Sequence, residues 1–236
     1  MSELLYHSNS YLKEFDAVVT SIVENTLVLD RTAFYPGGGG QPSDTGTIKM
    51  SQTECKILKV SRKDNAIIHE IDGPIPDRGT RIHGLLDWER RYSLMRTHTA
   101  LHILCGVIWR NYKSQVTGGN MQPLQARMDF ELEQMSADFA TEVEFLANEE
   151  IAASRNITAY TLPRSQAFAI PDLIRTKINL LPENIPEIRV VNIEGLDLQA
   201  DGGTHVDNTR EVGAIKVVGH ESKGRINKRL RIEITP

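Results

Sequence analysis

Two histidines four residues apart, His98 and His102, have the side-chain type and the spacing of a metal site. Residues four apart on an α-helix lie on the same face, so both imidazoles can reach one ion. About a hundred residues later, Asp201 and His205 repeat this spacing around two glycines. Glycine lets the backbone turn tightly enough for two side chains to converge. The sequence therefore predicts one metal site assembled from two distant segments.

Zinc, one ion per chain, is the expected metal, because three neutral imidazoles and one carboxylate form a ligand set that zinc accepts. Cys105 shares the predicted helix face, but a free cysteine is more often a small buried apolar residue. The zincin protease motif needs glutamate directly after its first histidine, and Thr99 stands there, so a peptidase is excluded. The remaining histidines are expected at the surface or in structural roles: His7, His69, His83 and His220.

The elements that must position these side chains indicate an α+β protein with two domains, residues 1–86 and 87–236. The first is predicted to be a small β-barrel or sandwich, with strands at 15–23, 26–30, 46–50, 54–60, 66–71 and 80–86. The second carries the metal-binding helix, which begins after Asp87 as N-cap, ends near Tyr112 and holds its histidines in a buried stripe. Other expected elements are helices at 136–155 and 172–178 and strands at 157–162, 188–193, 212–218 and 230–234.

A glycine-rich loop at residues 37–46 interrupts the first domain. Four consecutive glycines, Gly37 to Gly40, stand before Gln41 and cost conformational entropy, so the backbone there does something that a side chain would block. We expect the loop to press against a ligand or a second domain. A flexible loop is the alternative.

Composition indicates a reduced cytoplasmic protein. The 236 residues are 40% hydrophobic and 25% charged, with a net charge of −4 and two cysteines that form no CxxC motif. No secretory signal or membrane-spanning stretch is expected, and no obligate protein partner is evident. The net charge predicts no general affinity for nucleic acid. Any contacts with the phosphates of a nucleic acid must therefore come from two local basic clusters. These are Arg90, Arg91 and Arg96 at the start of the helix, and Lys223, Arg225, Lys228, Arg229 and Arg231 near the C-terminus.

These motifs occur in the order found in the editing domain of alanyl-tRNA synthetase. The glycine loop, the histidine pair, residues 115–120 (QVTGGN) and residues 201–206 (DGGTHV) resemble that domain over essentially the whole chain. With no aminoacylation domain, the chain is similar to the free-standing, medium-length AlaX-type trans-editing proteins. The resemblance implies a zinc-containing deacylase that hydrolyses Ser-tRNA(Ala), and also Gly-tRNA(Ala), with mischarged alanine tRNA as its partner.

The resemblance also implies substrate contacts and one departure. Thr117 is the first candidate for binding the serine hydroxyl and Gln41 the second, with Gly39 and Gly40 beside it; a turn residue and a loop-anchoring amide are the alternatives. In the family a cysteine normally occupies the position of Asp201. A carboxylate there makes the site harder and weaker; the alternatives are three histidines and a water, or an empty site without activity.

The chemistry of the site stays open at this stage. The ion either lowers the pKa of a bound water or only positions the terminal ribose, and no separate Asp or Glu base stands out. A non-catalytic tRNA-binding module with a structural metal, and a general metal-dependent hydrolase of small molecules, are the competing functions.

Overall fold

The computed structural model describes residues 2–51, 53–64, 66–179, 181 and 185–236. The chain is α+β and divides into two compact units, Met1–Leu94 and Met95–Pro236. The division expected from the sequence, between residues 86 and 87, lies eight residues earlier, at the end of the strand-rich segment. No helix in the described ranges is long and apolar enough to cross a membrane.

The first unit contains a closed barrel of six strands, as the sequence predicts. The strands follow one another around the barrel in the order β2-β3-β7-β6-β5-β8, and all neighbours are antiparallel. The elements of this unit are β1 (Glu3–Leu4), α1 (Leu5–Ser8), β2 (Glu14–Val23), β3 (Thr26–Leu29), β4 (Arg31–Thr32), β5 (Gly46–Met50), β6 (Thr53–Lys63), β7 (Ala66–Asp72) and β8 (Arg81–Leu86).

Apolar side chains at alternate positions of the strands fill the interior of the barrel. In β2, for example, Phe15, Ala17 and Val19 point inward and are buried, while the intervening side chains are more exposed. Gly84 on β8 leaves room for the Phe15 ring, since a Cβ there would lie 2.5 Å from that ring. The sequence predicts these strands well because the period of two is a local pattern.

The second unit combines helices with two antiparallel sheets. The sheets have the orders β14-β15-β10-β9 and β11-β12-β13. The elements of the chain from residue 88 onward are α2 (Trp88–Tyr112), β9 (Val116–Gln122), β10 (Gln125–Phe130), α3 (Ala137–Ala152), β11 (Ile157–Pro163), α4 (Arg164–Ala167), β12 (Glu187–Ile193), β13 (Asp197–Ala200), a 3₁₀ turn (Thr209–Val212), β14 (Ala214–Gly224) and β15 (Asn227–Thr235).

Two expectations for this unit need correction. The short helix predicted at 172–178 is wrong: the helical turn is α4, and residues 172–178 form no helix, because the main chain of Val116 bonds to Arg175 (2.9 Å) and Lys177 (2.8 Å). Strands β9, β10 and β13 are absent from the sequence predictions; in β9 the glycines and polar residues give no apolar alternation.

Helix α2 begins where the sequence predicts. The Asp87 side chain accepts a hydrogen bond from the Arg90 N–H at 3.2 Å, which is the expected N-cap. The burial differs from the predicted stripe, because every residue from Thr97 to Ile108 is buried. The helix is therefore a central element of the fold, and its polar side chains need partners in the interior.

A buried histidine lies inside the barrel. His69 on β7 is fully buried, with Nε2 2.9 Å from the Thr32 hydroxyl and Nδ1 3.3 Å from the Leu27 carbonyl oxygen. A carbonyl oxygen only accepts, so Nδ1 carries the proton and Nε2 accepts from the hydroxyl. Burial lowers the pKa of His69 to about 4, although the hydrogen bond to Leu27 acts in the opposite direction.

We predict that His69 destabilises the protein in acid. Between pH 6.5 and 4 the unfolded chain binds a proton at His69 that the folded barrel does not bind, so this contribution to stability is lost as the pH falls. The loss should reach roughly 3 kcal/mol near pH 4. Urea unfolding at several pH values, compared between the wild type and His69→Gln, measures it.

The variant should show a flatter dependence than the wild type over this range, because other titrating groups contribute equally to both proteins. His220→Gln, at an exposed position on β14, is the matched control and should follow the wild type. Parallel curves for the wild type and His69→Gln would contradict the prediction.

Candidate metal centre

Four potential ligands converge in the interior of the second unit. Helix α2 supplies His98 and His102, whose ring centroids lie 5.2 Å apart, and the segment after β13 supplies Asp201 and His205. Each residue offers one ligand atom, and these atoms all lie within 4.8 Å of one another. The structure thus brings together the two segments that the sequence paired.

Hydrogen bonds hold the second segment in its turned shape. Asp201 Oδ1 accepts from the Gly203 N–H at 2.6 Å, and Arg189 Nη1 on β12 donates to the carbonyl oxygens of both residues at 3.0 Å. The Val206 N–H donates to the Thr99 hydroxyl on α2 at 3.3 Å. Thr99, which occupies the position of the glutamate in zincin proteases, therefore anchors the turn to the helix.

The distances between the ligand atoms suit a metal ion. Asp201 Oδ2 lies 3.4 Å from His98 Nε2 and 3.8 Å from His102 Nε2, and Oδ1 lies 3.8 Å from His205 Nε2. Tetrahedral zinc, with bonds of about 2.0–2.2 Å, separates its ligand atoms by about 3.3–3.6 Å. The four side chains can therefore surround an ion of this size with small adjustments.

His205 supports the same interpretation. Both of its ring nitrogens are buried without a hydrogen-bond partner among the described residues, and its ring stacks on His98 with centroids 4.3 Å apart. A buried nitrogen without a partner costs free energy, and a metal ion coordinated by Nε2 would remove part of that cost. Three imidazoles and a carboxylate are also a donor set that zinc accepts, so the residues fit the ion.

The cluster keeps opposite charges together in a buried place. Burial disfavours the charged form of His102, but its hydrogen bonds to Asp197 and Asp201 outweigh this and raise its pKa to about 9. Burial also disfavours ionised Asp201, yet the neighbouring His98 and His102 hold its pKa well below the usual range. Burial, reinforced by the other two histidines, lowers the pKa of His205, which therefore stays neutral.

Cys105 does not belong to the cluster. Its side chain is buried, and burial raises the pKa of its thiol, with the nearby Asp197 acting in the same direction. A protonated, buried thiol is unreactive, which agrees with a packing role.

Comparison with known proteins places the chain in a family. It is 40% identical to the alanyl-tRNA editing protein AlaX-M of Saccharolobus solfataricus over 240 residues, a match that covers 100% of both chains. The chain belongs to the AlaX-M family. A second member, from Methanosarcina barkeri, is 38% identical, with 98% of each chain covered. The family resemblance drawn from the motifs is therefore confirmed.

A much larger enzyme and two family models also match this chain. The alanine–tRNA ligase of Pyrococcus furiosus is 38% identical over 92% of this chain, which corresponds to 24% of the ligase. The model "tRNA synthetases class II (A)" matches residues 7–90. The model "Threonyl and Alanyl tRNA synthetase second additional domain" matches residues 188–231, which include Asp201 and His205.

The glycine loop of this AlaX-M member, in the first unit, is a defined turn. Gly38 and Gln41 exchange two main-chain hydrogen bonds of 2.9 and 3.0 Å, and all four glycines, Gly37 to Gly40, have positive φ. Gly39 and Gly40 are exposed at its tip, whereas Gln41 is buried. Residues with a side chain rarely adopt such φ values, which explains why glycine occupies these four positions. Contact of these residues with a substrate stays a prediction.

Thr117 lies on β9 and is exposed. Its hydroxyl donates to Asn227 Oδ1 at 2.8 Å, which leaves lone pairs on the oxygen that can accept a further hydrogen bond. The preceding residue, Val116, pairs with Arg175 and so connects this strand to the segment beside Asp197.

Two of the predicted phosphate-binding residues are corrected by their burial. Arg91 is fully buried and forms an ion pair with buried Asp44 while donating to the carbonyl oxygens of Ser10 and Ala33. Lys228 is 5% exposed, and its Nζ donates to two carbonyl oxygens of the β14–β15 turn, 2.7 and 3.0 Å away. Neither side chain can reach a phosphate without breaking these bonds.

The other basic residues differ in their availability. Arg90 and Arg96 are half-buried and donate to main-chain carbonyl oxygens, and Arg229 pairs with Asp129 at 2.7 Å. Lys223 and Arg225 are exposed at the β14–β15 turn. The basic clusters of the sequence thus contain both structural and solvent-facing side chains.

The structure adds residues that sequence reasoning missed, namely Asp197, Arg189 and the anchoring hydroxyl of Thr99. Asp197 has a carboxylate oxygen 3.0 Å from His102 Nδ1. Its position four residues before Asp201 is the only sequence feature that could have drawn attention to it.

We predict that Arg91 is essential for the stability of the first unit. Replacing it in Arg91→Gln leaves Asp44 as a buried charge without its partner, which should lower the free energy of unfolding by about 3–5 kcal/mol. Urea unfolding followed by circular dichroism measures this loss. Arg225→Gln removes the same charge from an exposed position and should stay within about 0.5 kcal/mol of the wild type. Equal stability of the two variants would contradict the buried role of Arg91.

Proposed function

We propose that this protein is an aminoacyl-tRNA deacylase that hydrolyses the ester of Ser-tRNA(Ala), and of Gly-tRNA(Ala), at a zinc centre formed by His98, His102, Asp201 and His205. The observation that carries the proposal is the convergence of these four side chains in one buried cluster. The full-length relatives, which are named alanyl-tRNA editing proteins, support a deacylase role and a tRNA as the partner.

The chemistry of error correction explains why a separate site is needed. A synthetase pocket shaped for alanine cannot strongly reject a slightly different small side chain by binding alone. A second site that hydrogen-bonds the serine hydroxyl can discriminate by a factor of ~10⁴, because alanine leaves the buried polar groups of that site without partners.

The four cluster residues would hold the ion from both segments. Zinc bound there would supply a Lewis acid, which would either make a bound water more acidic or position the terminal ribose. The chain contributes rigidity: α2 fixes two imidazoles, while Arg189 and Thr99 fix the turn that carries Asp201 and His205. Ligands held in this way would keep a bound ion in a fixed position.

Thr117 is our candidate for recognition of the serine hydroxyl. Its oxygen can accept a hydrogen bond while its own proton is donated to Asn227, so it would read a donor on the substrate. The exposure of Thr117 on β9 leaves it accessible to an incoming aminoacyl group.

Contact with the tRNA backbone is proposed for the exposed cations of the β14–β15 turn, Lys223 and Arg225. Arg225 can approach a phosphate group without losing main-chain hydrogen bonds like those of Lys228, and Lys223 would exchange only a solvent-exposed ion pair with Glu221 (3.1 Å). Such contacts position the nucleic acid without reading its sequence and weaken as salt increases.

We predict that the protein deacylates Ser-tRNA(Ala) much faster than Ala-tRNA(Ala). His102→Ala should lose both zinc and activity, because it removes one of the four proposed ligands of the ion on which the activity depends. The loss in kcat/KM should exceed the ~10–100-fold that removal of a supporting partner costs. Release of labelled amino acid and metal analysis of the same samples provide the measurements.

His220→Ala is the matched control at an exposed histidine and should retain zinc and activity. Binding of tRNA without ester hydrolysis would instead indicate a non-catalytic tRNA-binding protein with a structural metal. Deacylation at the wild-type rate by metal-free protein would exclude the zinc centre from the reaction.

We further predict that Thr117→Val reduces kcat/KM for Ser-tRNA(Ala) by about tenfold to a hundredfold, since it removes one hydrogen bond to the substrate hydroxyl. Gly-tRNA(Ala), which lacks that hydroxyl, should be hydrolysed at an unchanged rate. Thr158→Val, on an exposed position of β11, is the control. An equal loss with both substrates would argue against recognition of the hydroxyl by Thr117.

A further inference from the structure

We propose that Asp197 is a positioning residue that fixes the orientation and tautomer of His102 and thereby sets the affinity of the site for zinc. This inference rests on the metal centre of the proposed function, but its readout is metal binding and does not require tRNA or ester hydrolysis.

The geometry defines the role. The Asp197 side chain is completely buried, and its Oδ2 lies 3.0 Å from His102 Nδ1. A carboxylate accepts and does not donate, so Nδ1 carries the proton and the lone pair of the neutral ring is on Nε2. Nε2 is the atom that lies 3.8 Å from Asp201 within the cluster. Asp197 thus holds His102 in the tautomer that can coordinate an ion.

Asp197 is itself held in place. Its position on β13 is paired with Ile193 of β12, and Gln199 Nε2 donates to Oδ2 at 2.6 Å. Arg175 Nη1 lies 3.7 Å from Oδ1, so a guanidinium partly compensates the buried charge. Arg175 also lies over the Trp109 ring of α2 at 4.7 Å.

A glycine on the helix makes the approach of β13 possible. Gly106 stands one helical turn after His102, and a Cβ there would lie 2.9 Å from Leu196 Cγ and 3.1 Å from Asp197 Cβ. A larger residue would push the strand away from α2 and lengthen the bond to His102. The close packing of β13 against α2 at Gly106 therefore allows the Asp197 carboxylate to reach the His102 ring.

A comparison of His102 with Asp201 and His205 shows why the contact with Asp197 matters. Asp201 is shared among three histidines, and His205 Nδ1 has no hydrogen-bond partner within the described part of the chain. His102, by contrast, has a dedicated carboxylate behind it. A carboxylate behind a ligating histidine raises the basicity of the ligand and fixes its ring.

The test is the zinc affinity of Asp197→Asn, measured by competition with a chromophoric chelator. The amide keeps the shape of the side chain but removes its charge, so we expect zinc to bind about 10–100-fold more weakly. Asp129→Asn is the matched control, because Asp129 is also a buried aspartate of the second unit and is paired with Arg127 and Arg229. Its zinc affinity should equal that of the wild type.

Nitrogen-15 NMR of the histidine rings separates positioning from a merely structural role. With zinc bound through Nε2, the Nδ1 proton of His102 should be held by Asp197 in the wild type and exchange slowly with solvent, and in Asp197→Asn it should exchange faster. If Asp197→Asn unfolds more easily but the folded protein keeps the wild-type zinc affinity and the slow exchange of this proton, the inference is wrong.

A second variant covers the case in which Asp197→Asn does not fold. Gln199→Leu keeps the carboxylate but removes one hydrogen bond to it, and should weaken zinc binding by about threefold to tenfold. Unchanged affinity in Gln199→Leu would then overturn the proposal. A wild type that binds no zinc would overturn both the metal centre and the role of Asp197. A wild type that binds zinc without hydrolysing Ser-tRNA(Ala) would defeat only the proposed function.

Discussion

Placing three imidazoles and a carboxylate inside the second unit is the constraint on which much of this unit depends. Helix α2 is buried along the whole stretch that carries His98 and His102, so these polar side chains have no access to bulk water as a partner. The turn held by Arg189 and Thr99 and the strand that brings Asp197 forward supply that partnership from the rest of the unit. Stability and the candidate chemistry are therefore coupled through the same contacts.

Features that depend on neighbouring residues could be predicted from the sequence. The four-residue spacing that places His98 beside His102, the N-cap at Asp87 and the alternating strands of the barrel all follow from short-range geometry. The pairing of the two ligand segments was also predicted, because few side-chain types bind metals and their spacing is the same in both.

Features that depend on distant residues could not be predicted in this way. A basic residue in a charge cluster has the same local pattern whether it faces solvent or a buried carboxylate. Arg91 meets Asp44 across 47 positions of the chain, and Asp197 meets His102 across 95. Strand β9 and the segment near Arg175 likewise depend on each other, and neither has an apolar alternation of its own.

Asp201 shows how a departure from the family pattern can be accommodated by the fold. A cysteine, the residue expected at this position, would offer one sulfur atom to a metal and no strong acceptor for the turn. Asp201 has two oxygens with different partners: Oδ1 accepts the Gly203 N–H that closes the turn, and Oδ2 faces His98 and His102. In the proposed zinc centre the carboxylate is a harder ligand than a thiolate. It compensates by shaping the turn that delivers His205, so the substitution changes the ligand without removing the convergence of the site.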